Sequence, residues 1–155
     1  MGRTARRWGA VHVDAAMTIH APCERLVTLY LDYAHWPRLF PATIRGVRLV
    51  RREGSETTVE VDHRTAGHVV NIIRRRSANE IELEEFKPKY DATFVNRFDA
   101  VAAGTRYSVS ADIRLEVPYA LLAPFLSGYV RRSVRRYVLE PMRVYAEGVT
   151  TGGRR

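Results

Sequence analysis

The chain has one cysteine, Cys23, in 155 residues. It therefore closes no disulfide within itself and builds no thiolate cage around a metal. A reducing, cytoplasmic compartment is the expectation. Lysine is nearly missing too: of 25 basic residues only Lys87 and Lys89 are not arginine, a bias that coding composition alone can produce. Long apolar runs are absent. The N-terminus starts with the basic residues of a signal peptide, but His12 and Asp14 interrupt the apolar run such a peptide needs. The longest uncharged stretch of the second half, Val117 to Val130, has 14 residues with two prolines inside, against the roughly 20 that span a bilayer. No phosphate-binding glycine loop, nucleophile elbow or dinucleotide fingerprint occurs, so kinase, hydrolase and dehydrogenase readings have no motif to rest on. No cofactor is expected. His63 and His68 lie five residues apart without an evident third ligand, fewer than a zinc site requires, and no metal is expected.

What is present describes one globular domain. The apolar fraction is 46% and the charged fraction 27%, an ordinary balance for a folded chain, and a chain of this size can bury roughly 70% of its unfolded surface. Residues 9–147 are expected to form the domain, with flexible ends at 1–8 and 148–155. The net charge of +8 is concentrated late: from Pro118 onward seven arginines face only Glu140 and Glu147. A solvated face explains such a band, and so does an anionic partner.

Val11, Val13, Ala15, Met17 and Ile19 alternate with His12, Asp14 and Thr18, the period of a half-buried strand. Pro22 suits the first turn of a helix carrying Leu26, Val27, Tyr30 and Leu31 at helical spacing. The stretch DYAHWPRLFPA, residues 32–42, is then too broken for an ordinary core helix. Pro37 and Pro41 limit it to one helical turn starting at Trp36. Its large apolar side chains either fill a corner of the core or cover something.

From Ile44 to Val117 the period is two, punctuated by turn signals such as Glu53-Gly54-Ser55 and Ala102-Ala103-Gly104. The predicted strands are 44–53, 56–64, 68–76, 80–86, 91–101 and 104–117, and loops this short make them an antiparallel meander. After Pro118 the spacing changes to three and four through Leu122, Phe125, Leu126, Tyr129, Val130 and Val134, then Tyr137, Val138, Met142 and Tyr145. This predicts an amphipathic helix from Pro124 to Glu147, about 36 Å long, which can lie along a final strand of ~40 Å. Pro141 should kink it.

Some polar residues fall on faces that should be dry. Val59 and Val61 set the inward side of strand 56–64, and the same parity takes His63 inside. Pairing His63 with His68 sets Val61 opposite Val70 and Val59 opposite Ile72. Strand 91–101 points Phe94, Asn96 and Phe98 inward. An interior Asn without a partner costs about 1–3 kcal/mol; a backbone bond, a trapped water or a ligand would each satisfy it. His63, Asn96 and Tyr107 share the inward side of one sheet.

The order of elements carries Ala21-Pro22 after the first strand, Asp32 before Trp36-Pro37 and Phe40-Pro41, Gly104-Thr105 before the last strand, and Ala146-Glu147 closing the helix. With these motifs the chain resembles the START-like polyketide cyclase/dehydrase and lipid-transport superfamily (SRPBCC) over about residues 9–147. The resemblance implies an α+β helix-grip fold: a seven-stranded curved antiparallel sheet wrapped around a long C-terminal helix, with two short helices after the first strand. It implies an apolar cavity between sheet and helix, lidded by Trp36, Leu39 and Phe40. The expected ligand-binding residues on the sheet are Val61, Val70, Phe94, Phe98 and Val109, and on the helix Phe125 and Tyr129.

Two functions follow from the resemblance. One is binding of a hydrophobic small molecule of polyketide, isoprenoid or lipid-like character. The other is aldol-type cyclisation or dehydration of a carrier-bound poly-carbonyl chain, which needs a base, a donor for the enolate oxygen and a dry cavity. His63 would be the base, and Tyr107 or Asn96 the donor. Arg131, Arg132, Arg135 and Arg136, paired at i and i+4, would meet an acidic acyl carrier protein or an anionic membrane surface. Nucleic acid comes last, since no recognition-helix motif or aromatic-basic signature is present. Monomer and homodimer both fit.

Overall fold

The computed structural model describes residues 8–87, 90–116 and 119–148, and of Trp8, Tyr119 and Ala120 the backbone only. The termini expected to be flexible thus lie largely outside the described residues, as do Lys89, Arg154 and Arg155. Strand β1 (Trp8–Ile19) leads into helix α1 (Cys23–Leu31), a 3₁₀ turn (Tyr33–His35) and the single-turn helix α2 (Trp36–Leu39). Strands β2 (Ile44–Glu53), β3 (Glu56–His63), β4 (Gly67–Ser77), β5 (Glu80–Phe86), β6 (Tyr90–Val101) and β7 (Gly104–Glu116) follow. Each end lies within one residue of the position that alternation and turn residues predict. Successive strands pair antiparallel, and β1 returns to the far edge, giving one sheet in the order β1-β7-β6-β5-β4-β3-β2.

The β3–β4 hairpin corrects the expected register by one residue. His63 pairs with Gly67, so Val61 meets Val69 and Val59 meets Asn71. Gly67 has φ +73°, and a glycine in this left-handed region closes a three-residue hairpin loop one position earlier than a His63–His68 pair would. A slip of one residue exchanges the two faces of a strand. Val69, Asn71 and Ile73 are therefore buried inside, while His68 and Val70 lie exposed on the outer face.

The chain ends in a 3₁₀ turn (Tyr119–Leu122), helix α3 (Ala123–Val134), a π-turn (Arg135–Leu139) and helix α4 (Glu140–Glu147), which run on as the C-terminal helix. The π-turn answers Pro141: the Glu140 amide reaches back to the Arg135 carbonyl, and the widened turn absorbs the donor and the space that proline denies an α-helix. Gly148, at φ +63°, caps the end.

The inward stripe is Val134, Leu139, Met142 and Ala146, with Leu126, Val130 and Val138 half-buried. Leu122, Phe125, Tyr129 and Tyr145, predicted on that stripe, are instead exposed. Ala123, Leu126 and Val130 pack on Val11, Val13 and Leu115 and take up the side of α3 that faces the sheet. Leu122, Phe125 and Tyr129 are left turned away from that side, Tyr129 only as far as the pocket edge.

The convex face of the sheet is polar, with pairs such as Arg48–Glu60 at 2.6 Å and Arg97–Glu80 at 2.8 Å. Exposed pairs of this kind contribute little stability, so the fold depends on the concave side. Among the described residues no helix is long and apolar enough to cross a membrane.

Candidate functional site: a pocket between sheet and helix

The sheet and the C-terminal helix do not close completely on one another. A pocket of about 440 Å³ remains, with Val61, Val69, Leu83, Phe94 and Val109 from the strands and Val130, Val134 and Val138 from the helix among its walls. That volume falls in the range of small-molecule sites. Tyr30, Trp36 and Phe40 form a further wall. Trp36 is only 2% exposed; its indole N–H donates to the Tyr30 carbonyl at 2.8 Å, and its ring meets Tyr30, Tyr33 and Phe40 edge-on. A ring held by one hydrogen bond and three aromatic contacts is fixed packing, so the expected lid is corrected to a wall. Leu39 is buried in the core behind it and does not line the pocket.

Asn96 is spent on structure. Its amide donates to the Tyr30 hydroxyl at 3.0 Å and to the Ile81 carbonyl at 3.4 Å, and its Oδ1 accepts from the Tyr107 hydroxyl at 2.6 Å. Tyr107 is fully buried, and its ring stacks on Phe98 at 4.6 Å between centroids. Burial, with Tyr30 beside it, holds the Tyr107 phenol well above its ordinary range, so it stays neutral. Neither Tyr107 nor Phe98 lines the pocket, which corrects both assignments. Phe125, at 82% exposed, is outside it too, whereas Tyr129 lies on its edge.

Asn96 does line the pocket, with its amide already committed, and the other polar groups on the wall include His63, Thr65, Asn71, Glu85, Lys87 and Tyr90. The pairings put Asn71 beside Glu85 and Glu85 beside Ala92, so these residues share the end of the sheet where β3 and β5 stop and β4 and β6 begin. Lys87 and Glu85 form a largely buried ion pair at 2.8 Å, and Lys87 also donates to the Tyr90 hydroxyl. Burial works to lower the Lys87 pKa, but Glu85 and Tyr90 outweigh it and the pKa rises. Burial, reinforced by Glu85, pushes the Tyr90 phenol up against the opposing pull of Lys87. Tyr90 therefore remains a neutral donor. Asn71 is 7% exposed, and its Oδ1 is a buried acceptor with no hydrogen-bond partner.

His63 is placed at the pocket, as its parity predicts, but its chemistry differs from the expectation. The Thr65 amide donates to Nδ1 at 3.5 Å, and the Thr65 hydroxyl lies 3.2 Å from the same atom. The neutral ring then keeps its proton on Nε2 and offers a donor in place of a base. Burial lowers the His63 pKa, with Lys87 adding to the effect and Glu85 opposing it. The unfolded chain therefore binds this proton more readily than the folded one between the depressed pKa and 6.5. Stability should therefore fall on acidification from pH 6.5 through that window and level off below the depressed pKa, where both states hold the proton. Denaturation midpoints measured across this range are expected to show a shallower slope for His63→Gln than for the parent; an unchanged slope would assign the acid sensitivity elsewhere.

Five of these polar lining residues, Thr65, Asn71, Glu85, Lys87 and Tyr90, are missed by reading the sequence. The signal for two of them is present: Ile81 and Leu83 set the inward parity of β5, and the same parity continues to Glu85 and Lys87. Asn71 is hidden by the one-residue register error. A second hollow of about 480 Å³ lies beside the β2–β3 turn, walled by Tyr33, Arg52, Gly54 and Arg75. Its buried polar wall residue, Thr57, has no buried side-chain atom left without a partner, in contrast to Asn71, so it offers a ligand less than the pocket under the helix does.

The architecture is the START-like, SRPBCC-type helix-grip fold. Solved structures of this kind match nearly the whole chain. The di-domain ARO/CYC StfQ from the steffimycin biosynthetic pathway matches with a TM-score of 0.73 at 14% identity, over 90% of this chain and 51% of its own. The chain thus spans about half the length of that protein. TTHA0849 from Thermus thermophilus matches with a TM-score of 0.73 at 18% identity, over 90% and 99% of the two chains. The Zhui aromatase/cyclase of Streptomyces sp. R1128 gives 0.71 at 16% identity, over 93% and 98%. Identities this low establish the fold. No protein-family model matches the chain, and no curated protein matches it.

Proposed function

We propose that the chain binds a hydrophobic small molecule of polyketide, isoprenoid or lipid-like character in the pocket between the sheet and the C-terminal helix. The observation that carries this reading is the unpartnered Asn71 Oδ1 on the wall of a hollow whose remaining lining is largely apolar, with a few polar groups gathered at one end. A buried acceptor left unmade costs about 1–3 kcal/mol, and a ligand hydroxyl or N–H would recover it. The preferred guest is therefore apolar with one hydrogen-bond donor, its remaining oxygens meeting Tyr90, Lys87 and the Nε2–H of His63.

Native mass spectrometry of the purified protein should detect such a guest. Ser133→Trp, which adds an indole at the helix side of the pocket, is expected to weaken binding at least about tenfold without lowering the melting temperature. Asn71→Leu should raise the stability of the empty protein by about 1 kcal/mol and abolish any preference for 2-naphthol over naphthalene. If Ser133→Trp binds apolar probes as well as the parent, the pocket is not the site.

The second reading, cyclisation or dehydration of a carrier-bound poly-carbonyl chain, draws support from the aromatase/cyclases among the similar structures. The pocket supplies donors for an enolate oxygen in Tyr90 and Lys87. The base is what it lacks among the described residues: His63 Nδ1 is engaged by Thr65, and Glu85 by Lys87. Binding therefore needs fewer rearrangements than catalysis. Turnover of a poly-carbonyl substrate that disappears in His63→Gln would reverse this order.

A further inference from the structure

Four large apolar side chains stand in solvent at the start of the C-terminal helix. Phe125 is 82% exposed, Leu121 76%, Tyr129 63% and Leu122 51%. Scattered exposed apolar residues are normal on a soluble protein, but a cluster at one end marks an interaction site. At about 100° per residue, Phe125, Tyr129, Arg132 and Arg136 fall within roughly 40° of one line along the helix. Apolar turns thus pass directly into basic ones, with Arg135 about 80° and Arg131 about 120° round the helix from Phe125.

All four arginines are exposed, and among the described residues none forms an ion pair. Arg131 donates to the Asp14 carbonyl at 3.4 Å, and Arg136 lies 5.4 Å from the Tyr137 ring centroid. Their charge is left available to an anionic partner. Tyr129 belongs both to this ridge and to the pocket edge, so the ridge adjoins the pocket mouth.

An apolar tip followed by cations is the pattern of a helix that lies in a membrane interface. An acidic protein matched only to the arginines would leave Leu121 and Phe125 in water, whereas a bilayer takes acyl contact and phosphate contact together. We propose that this ridge docks the protein on an anionic lipid bilayer, with Leu121, Phe125 and Tyr129 in the acyl boundary and Arg131, Arg132, Arg135 and Arg136 at the phosphates. The docking stands on these exposed side chains. Only its use, exchange of an apolar guest between bilayer and pocket, rests on the function proposed above.

The test is co-sedimentation of the full chain with vesicles of phosphatidylcholine and phosphatidylglycerol, and with phosphatidylcholine alone. Partition into the anionic vesicles is expected, falling steeply between roughly 0.05 and 0.5 M salt as the charges are screened. Leu121→Ser with Phe125→Ser should lower it at least about tenfold by removing apolar insertion. Arg132→Ser with Arg136→Ser should lower it about tenfold or more, at ~1 kcal/mol for each basic residue at the surface. Melting temperatures of both double variants should stay near that of the parent.

Absence of partition would overturn the proposal, as would equal partition into neutral vesicles or partition unchanged by the Leu121/Phe125 variant. A dimer of the parent that the same variant dissolves would overturn it as well, by assigning the ridge to a second copy. Binding of Nile red in vesicle-free buffer reports the pocket separately. Loss of that binding from the parent would sink the pocket reading while vesicle partition still supported docking.

Discussion

Gly104→Ala is expected to be the most damaging small substitution in the chain, costing about 3 kcal/mol or more. Gly104 opens β7 at φ +139°. A methyl group built there would stand 2.3 Å from the Ile19 carbonyl oxygen and 3.0 Å from the Ala21 amide nitrogen. Both atoms are backbone, so no side chain can swing away; the β1–β7 edge must open, or the residue must leave a conformation that only glycine holds easily. The contact lies next to the Ile19–Thr105 pair and the 2.7 Å bond from the Thr105 hydroxyl to the Ala21 carbonyl, so the damage reaches the junction between β1 and α1. For a domain of this size the loss corresponds to a fall in melting temperature of about 6–12 °C. Gly46→Ala is the control, since nothing lies within 4 Å of its added methyl. A Gly104→Ala protein melting within about 2 °C of the parent would show that the edge yields more easily than this geometry indicates.

Asn96→Leu is expected to cost a comparable amount, about 2–5 kcal/mol, because it strands two buried phenols at about 1–3 kcal/mol each. The Tyr107 hydroxyl would lose its acceptor and the Tyr30 hydroxyl its donor. The informative experiment is a double-mutant cycle. Tyr107→Phe in the Asn96→Leu background removes one stranded hydroxyl, so the double variant should be at least about 1 kcal/mol more stable than Asn96→Leu alone. Chemical denaturation of the four proteins gives the coupling directly. Additive effects would mean that the network is not what keeps an Asn in the core. Affinity for an apolar guest should be nearly unchanged in Tyr107→Phe, because Tyr107 does not line the pocket.

Asn96 also shows how the two readings of a buried polar residue separate. An interior Asn raises the same question in the sequence whether its partner is a ligand or a tyrosine. Tyr30 lies on α1 and Tyr107 on β7, and no local pattern announces that their hydroxyls meet it. Asn71 poses the question in reverse. Sequence parity with His68 inside would put it on the wet face, yet it is the buried acceptor without a partner. The three groups read together as a site, His63, Asn96 and Tyr107, thus divide: His63 and Asn96 are at the pocket, Asn96 with its amide committed to Tyr30 and Tyr107, and Tyr107 lies in the packing beneath it.

Alternation and helical spacing by themselves determined the strands, the two short helices, the long final helix and their order, because side-chain period is a property of each segment alone. They determined as well that His63 carries inward parity; the same parity in β5 extends to Glu85 and Lys87, which the sequence reading left unused. Only the tertiary structure decided the β3–β4 register, since a single glycine at positive φ moves the closing pair by one residue and exchanges both faces of β4. It alone decided which side of α3 faces water, because the cluster of Val11, Val13 and Leu115 claims Leu126 and Val130 and turns Phe125 outward. A periodic pattern states that one face is dry. Which partner lies across that face is set by contacts between residues far apart in the chain.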